Sequence, residues 1–174
     1  DAALLAGDPK AALDYGQTAV REARACRAWH YLAHALFSQI KAALARGDVE
    51  AAVAAAGEAL ALATDYGMHT SVAAVFAAIA LRTGEPMLAC QLLGYARAQQ
   101  QDCNQMDQHA AQVLEALRSE VETSLGAQVV ADLLDAGARL AAADMLALAA
   151  QVACREPQPL LKVRRQQGRW CLVN

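Results

Sequence analysis

Three turn signals recur in phase along this chain: Gly7-Asp8-Pro9, Gly47-Asp48-Val49 and Gly84-Glu85-Pro86. Counting from each glycine, an alanine stands five residues on (Ala12, Ala52, Ala89) and another twelve residues on (Ala19, Ala59, Ala96). The glycines lie 40 and 37 residues apart. A period of that size, with a turn signal set in helix-favouring sequence, points to a solenoid of helical hairpins and away from a globular enzyme core. Alanine fills 44 of the 174 positions, so helix propensity is high and helices can approach closely.

The turns place the elements. Ala2 to Ala6 reads as the tail of a helix, which predicts a truncated first hairpin in a piece cut from a larger protein. Asp8 caps the next helix with Pro9 at its first position, and that helix runs to about Arg24. A second hairpin spans about Ala28 to Arg46 and Val49 to Asp65. Asp48 is its inner N-cap, Glu50 faces the positive helix end, and Tyr66-Gly67 is the stop. A third runs from Met68 to Arg82 and from Pro86 to about Gln101. Glycines fall near the middle of each second helix, at Gly16, Gly57 and Gly94. Each costs roughly 1 kcal/mol against Ala, which close approach to a neighbouring helix would offset; tolerated exposed glycine is the other reading.

Past Gln101 the phase is lost. Met106 to Val121, Leu125 to Ala136 and Leu140 to Val152 read as three further helices, divided near Leu125-Gly126 and at Gly137. The chain therefore divides into repeats over residues 1–101, capping helices over 102–154 and a flexible basic tail over 155–174, where Pro157 and Pro159 break the helical pattern.

Net charge of −3 and a pI near 5.8 leave no general attraction for nucleic acid or anionic lipid. The five cysteines form no CxxC pair, so neither a disulfide framework nor a zinc site is indicated, and a reducing cytoplasm is expected. The longest apolar run, Val72 to Leu81, is too short to span a bilayer.

The glycine and alanine spacing resembles the tetratricopeptide repeat, in which small residues let paired helices approach. Ala52 and Ala59 would take that role, with Leu60 as the large apolar partner. The period exceeds the usual one, and the first-helix tryptophan and tyrosine and the terminal proline are missing. The stretch Ala89 to Ala98, then Leu114 to Leu125 and Ala136-Gly137-Ala138-Arg139-Leu140, is similar to the C-terminal end of large bacterial signal-transduction ATPases of the STAND type. There a similar segment precedes a bundle ending in a Gly-Arg turn; here Ala141 replaces the capping Ser or Thr. The resemblance covers roughly residues 86 to 152. It implies an all-α, right-handed TPR-like superhelix of antiparallel hairpins with a C-terminal capping bundle, carried by a transcriptional regulator.

No phosphate loop, GxSxG or HExxH is present, and no enzyme is expected. His30 and His34, at i and i+4, could hold a metal, but no nearby Cys or carboxylate completes the set, and two partly exposed imidazoles are the simpler reading. No metal or other cofactor is expected. Recognition suits that face better. His30, His34, Phe37 and Lys41 fall on one stripe of a first helix, with Ser71 and Arg82 at comparable positions in the next hairpin. The stripe either lines a concave groove that meets a protein, a peptide or a small effector, or is a solvated face with Phe37 tucked inward. The neighbouring stripe, Trp29, Leu32, Leu36 and Ile40, reads as core. The cysteines read as small buried or boundary residues. The tail's Lys162, Arg164, Arg165 and Arg169, beside Trp170, read as a solvated end rather than a phosphate contact.

The sequence thus predicts a non-catalytic interaction module, the regulatory or sensor part of a bacterial ATPase regulator, in contact with the ATPase and DNA-binding domains of its parent chain. A free-standing TPR scaffold is the alternative, and a Walker motif upstream in the parent frame would separate the two. Self-stacking to a homodimer is compatible with the small-residue faces.

Overall fold

A computed structural model describes residues 2–102, 115, 118–123, 125–154, 162–166 and 169–173. Its body is all-helical: α1 (Ala2–Leu5), α2 (Pro9–Ala25), α3 (Trp29–Ala45), α4 (Val49–Asp65), α5 (His69–Arg82), α6 (Pro86–Asp102), α7 (Ala127–Ala138) and α8 (Ala142–Ala153). Residues 118–123 are also helical. The segment expected from Met106 therefore begins outside the described residues, as do Cys103 and His109.

One local device ends each helix from α1 to α5. The residue after the cap takes a left-handed backbone, at Gly7 (φ +75), Arg27 (+54), Gly47 (+77), Gly67 (+66) and Gly84 (+81). The next amide then bonds back across the turn, as in Asp8 N to Ala3 O at 2.9 Å, Asp48 N to Ala43 O at 2.9 Å and Glu85 N to Ala80 O at 2.8 Å. These bonds satisfy carbonyls that the helix end would leave unpaired. Arg27 is the one non-glycine in this set, so it bears the steric cost that glycine avoids. At the opposite ends Asp8 and Asp48 accept from Ala11 N (2.9 Å) and Ala51 N (3.0 Å), as expected of N-caps.

The left-handed residues expose a shorter period than the hairpin. From Gly7 through Arg27 and Gly47 to Gly67 they come every 20 residues, and only the last interval, to Gly84, shortens to 17. Each unit is one helix and one turn, and α5 is the short helix, with 14 residues against 17 in α2, α3 and α4.

Successive helices pack along the array, α2 on α3, α3 on α4 and α5 on α6, while α3 also touches α5. Ala52, Ala59, Ala89 and Ala96 are wholly buried at the crossings, and Ala12 is nearly so. Ala19 departs from its repeat position: it is exposed. Of the second stripe on α3, Leu32, Leu36 and Ile40 are core, but Trp29 is 45% exposed. It is the first residue of α3, at the open end of a stripe whose deeper positions are closed over by neighbouring helices.

The mid-helix glycines divide. A Cβ at Gly94 would lie 2.9 Å from the Leu134 carbonyl carbon, and one at Gly137 would lie 2.8 Å from that of Gln91. The α6–α7 crossing is therefore a glycine-to-backbone contact from both sides. A Cβ at Gly16 would lie 3.2 Å from Gln39 Cα, a tighter approach than most, whereas one at Gly57 would meet open space. Gly137 is thus a packing residue inside α7, not the helix divider expected from sequence; Arg139 is the cap.

The last helix turns back. α7 packs on α6, but α8 crosses α4, α5 and α6, and its Met145, Ala149 and Val152 join the main core cluster. Burying such side chains stabilises by about 1.5–3 kcal/mol each for the larger ones. A smaller cluster, Cys90 with Val121 and Val130, closes the junction of α6, residues 118–123 and α7. Beyond Cys154, where the sequence predicts a flexible tail, strands β1 (Lys162–Gln166) and β2 (Arg169–Val173) pair antiparallel, with Arg164 opposite Cys171 and Arg165 opposite Trp170. Val163, Trp170 and Val173 are residues that favour strand. Among the described residues no helix is long and apolar enough to cross a membrane.

Candidate functional site

The six residues expected in one groove separate into three groups. His30 and His34 are exposed and stacked one turn apart on α3, their rings edge to face with centroids 4.8 Å apart. Lys41 is two turns further along and close enough that its charge acts on His34. Phe37 lies inside, 4% exposed, because the i+7 position has drifted round the helix onto the core. It is therefore no part of an open stripe. Ser71 is half-buried on α5. Arg82, at the far end of α5, is held in an ion pair with Glu120, which ties that end to the helical residues 118–123.

A second set of residues completes the α3 face, and composition alone did not single them out. Tyr66, at the C-cap of α4, places its ring edge to face with His30, centroids 5.4 Å apart. Tyr31 lies 5.8 Å from His30 in the same geometry. Tyr15, Trp29, Tyr31 and Tyr66 are 69%, 45%, 71% and 43% exposed, and all four aromatics belong to α2, α3 or the α4 cap. The signal was available: Tyr66 falls at the left-handed turn before Gly67, so the turn chemistry that ends α4 also aims its side chain back toward the start of α3. What the sequence lacked was the contact of two turns 36 residues apart.

Electrostatics favours a neutral His34. Partial burial, then the nearby His30 and Lys41, hold its pKa below the usual 6.5. The face thus presents aromatic edges, an imidazole that stays uncharged near neutral pH and an ammonium at one end. Such a set can hydrogen-bond, stack on planar groups and meet an anionic end. Among the described residues no group of three metal ligands forms, and the histidine pair gains no third partner.

Two other clefts differ in kind. Between α6, α7 and residues 118–123, a cleft of about 510 Å³ is lined by Arg97, Arg118, Glu122 and Asp135. Its central charges are mutually engaged, Arg118 Nε bonding Glu122 at 2.9 Å. Close by, burial and Glu122 push the Cys90 thiol up to about 11, so it stays protonated and packs as an apolar group. Beside the α3 face, a cleft of about 620 Å³ runs along α1, α2 and α3, with Tyr15, Tyr31 and His34 on its walls. No family model matches this chain, and neither the curated proteins nor the solved structures yield a match.

Proposed function

We propose that the chain is a non-catalytic recognition module, a divergent TPR-like array that serves as the regulatory or sensor part of a bacterial signal-transduction ATPase. The observation that carries the recognition role is the exposed cluster at the start of α3, where His30 sits between Tyr66 and His34 with Lys41 beyond. Exposed aromatic rings grouped on one face are costly in water and are the residues that dominate binding surfaces. The ligand chemistry that fits is a peptide or small effector with a planar group and an acidic end. Its binding would shift a parent switch by preferring one of two states of the array.

The reading is tested by thermal shift of the chain against aromatic amino acids, nucleotides and acidic peptides, beside a His30→Ala/Tyr66→Ala variant. A ligand that raises the melting temperature of the wild type and not of the variant supports the assignment. A shift of equal size in both places recognition elsewhere on the molecule.

A further inference from the structure

The cleft between α6, α7 and residues 118–123 holds four charged side chains of two kinds. Arg118 and Glu122 bond each other, Nε to Oε1 at 2.9 Å, and so neutralise the wall to which both belong. Arg97, half-buried on α6, and Asp135, exposed on α7, line the same cleft. Among the described residues neither of these two enters an ion pair or a hydrogen bond. A half-buried guanidinium without a partner has given up part of its hydration and gained nothing in return.

The helix crossing explains why Arg97 and Asp135 do not meet. Gly94 lies against the Leu134 carbonyl and Gly137 against that of Gln91, so α6 and α7 cross antiparallel with backbone against backbone. In that register Arg97 stands level with Ala131, and Asp135 comes a full turn later on α7, about 6 Å along the axis. A side chain at either glycine would push the crossing apart, so the two walls keep one separation. The third wall is tied down by the Arg82–Glu120 ion pair and by Val121, wholly buried beside Cys90 and Val130. The gap between the cation and the carboxylate is therefore set by the packed framework. Its volume of about 510 Å³ suits a small molecule.

We propose that this cleft binds a compact zwitterion of the α-amino acid class, its carboxylate on Arg97 and its ammonium on Asp135. The lining charges, Arg97, Arg118, Glu122 and Asp135, sum to zero. A simple anion or cation therefore gains no net attraction, whereas a molecule that carries both charges meets each with its opposite. The guanidinium presents paired N–H donors that match a carboxylate, and the Asp135 carboxylate accepts from an ammonium. Ala98 and Ala131, beside them, add no competing charge. Walls already held at their spacing bind such a ligand without having to be ordered first. The site shares no residue with the α3 face and does not rest on the effector reading above.

The test is isothermal titration of the full chain with the free proteinogenic amino acids. Each one that binds is repeated as its N-acetyl derivative, which lacks the ammonium, and as its amide, which lacks the carboxylate. At least one free amino acid should bind, and either blocked form should bind roughly tenfold more weakly or worse, because a charge-assisted contact is lost. Arg97→Gln and Asp135→Asn should each weaken the free amino acid by a similar factor, with circular dichroism and the urea midpoint showing that both variants fold. The His30→Ala/Tyr66→Ala variant should bind as the wild type does. No binding of any free amino acid at millimolar concentration overturns the proposal, as does affinity that survives blocking of either charge or the Arg97→Gln change. Binding lost in the His30→Ala/Tyr66→Ala variant would place the amino acid on the α3 face and overturn this site while leaving the effector reading intact.

Discussion

The outer face of the array holds two equivalent grooves, and only one is filled. Between α4 and α6, with α5 as floor, α8 packs down and its side chains enter the main core. Between α2 and α4, with α3 as floor, the equivalent groove is an open cleft of about 510 Å³. The backbone scaffold is the same in both, so the difference lies in side chains at matching distances from the turn glycines. Where the filled groove has Leu60, Phe76, Leu92 and Tyr95, the open one has Val20, Gln39, Ala55 and Glu58. Arg24 pairs with Glu58 across it, and both are substantially exposed. A helix laid there would have to desolvate that pair and the Gln39 amide, which costs more than the small apolar floor returns. Repetition of the backbone therefore sets where grooves occur, and a few polar replacements decide which one closes.

The most disruptive way to break this comparison is to move the open groove's chemistry into the filled one. Phe76→Gln removes a wholly buried ring and buries an amide, and should destabilise by about 3–5 kcal/mol. Urea unfolding measures the loss, and hydrogen exchange should show α8 amides losing protection first; an unchanged midpoint would mean that α8 does not depend on that floor. Next come two glycines at the same distance from their turns. Gly94→Ala drives a Cβ into the Leu134 carbonyl and should cost about 3 kcal/mol. Gly57→Ala, facing open space, should instead stabilise by about 0.5–1 kcal/mol. Equal signs in thermal denaturation would remove the distinction between crossing and surface glycine.

Arg27→Gly relieves the left-handed strain at the one non-glycine turn and should raise stability by about 1 kcal/mol, measured by urea midpoint. Smaller still, Glu58→Gln in the open groove should cost well under 1 kcal/mol and lose even that effect at high salt, because the pair is solvent-exposed. A large, salt-insensitive loss would show the open groove to be structurally closed. On the recognition face, His34 should titrate below 6.5 by NMR, and His34→Ala should remove a pH dependence. The folded pKa is depressed, so the unfolded chain binds the proton first as pH falls. Stability from this group is full above about 6.5 and declines below it until the folded imidazole is also protonated.

Helix positions and their ends were legible because the forces behind them are local. Asp8 and Asp48 cap within three residues, and a left-handed glycine ends a helix whatever it later packs on. The 20-residue unit stayed hidden because Arg27 occupies one of its glycine positions, and a backbone conformation forced on an arginine leaves no compositional mark. The histidine pair was legible from its i, i+4 spacing, but the inward turn of Phe37 was left open between two faces.

What the sequence by itself determined is the run of helices and turns and the small-residue positions at which helices can cross. Only the tertiary structure decided that Gly137 is a crossing residue, that Tyr66 joins His30, and that α8 closes one groove and leaves its twin open. Alanine-rich faces are chemically alike, so many pairings are permitted by the pattern. The choice among them depends on side chains far apart in sequence, such as Phe76 and Met145, becoming buried in the same core cluster.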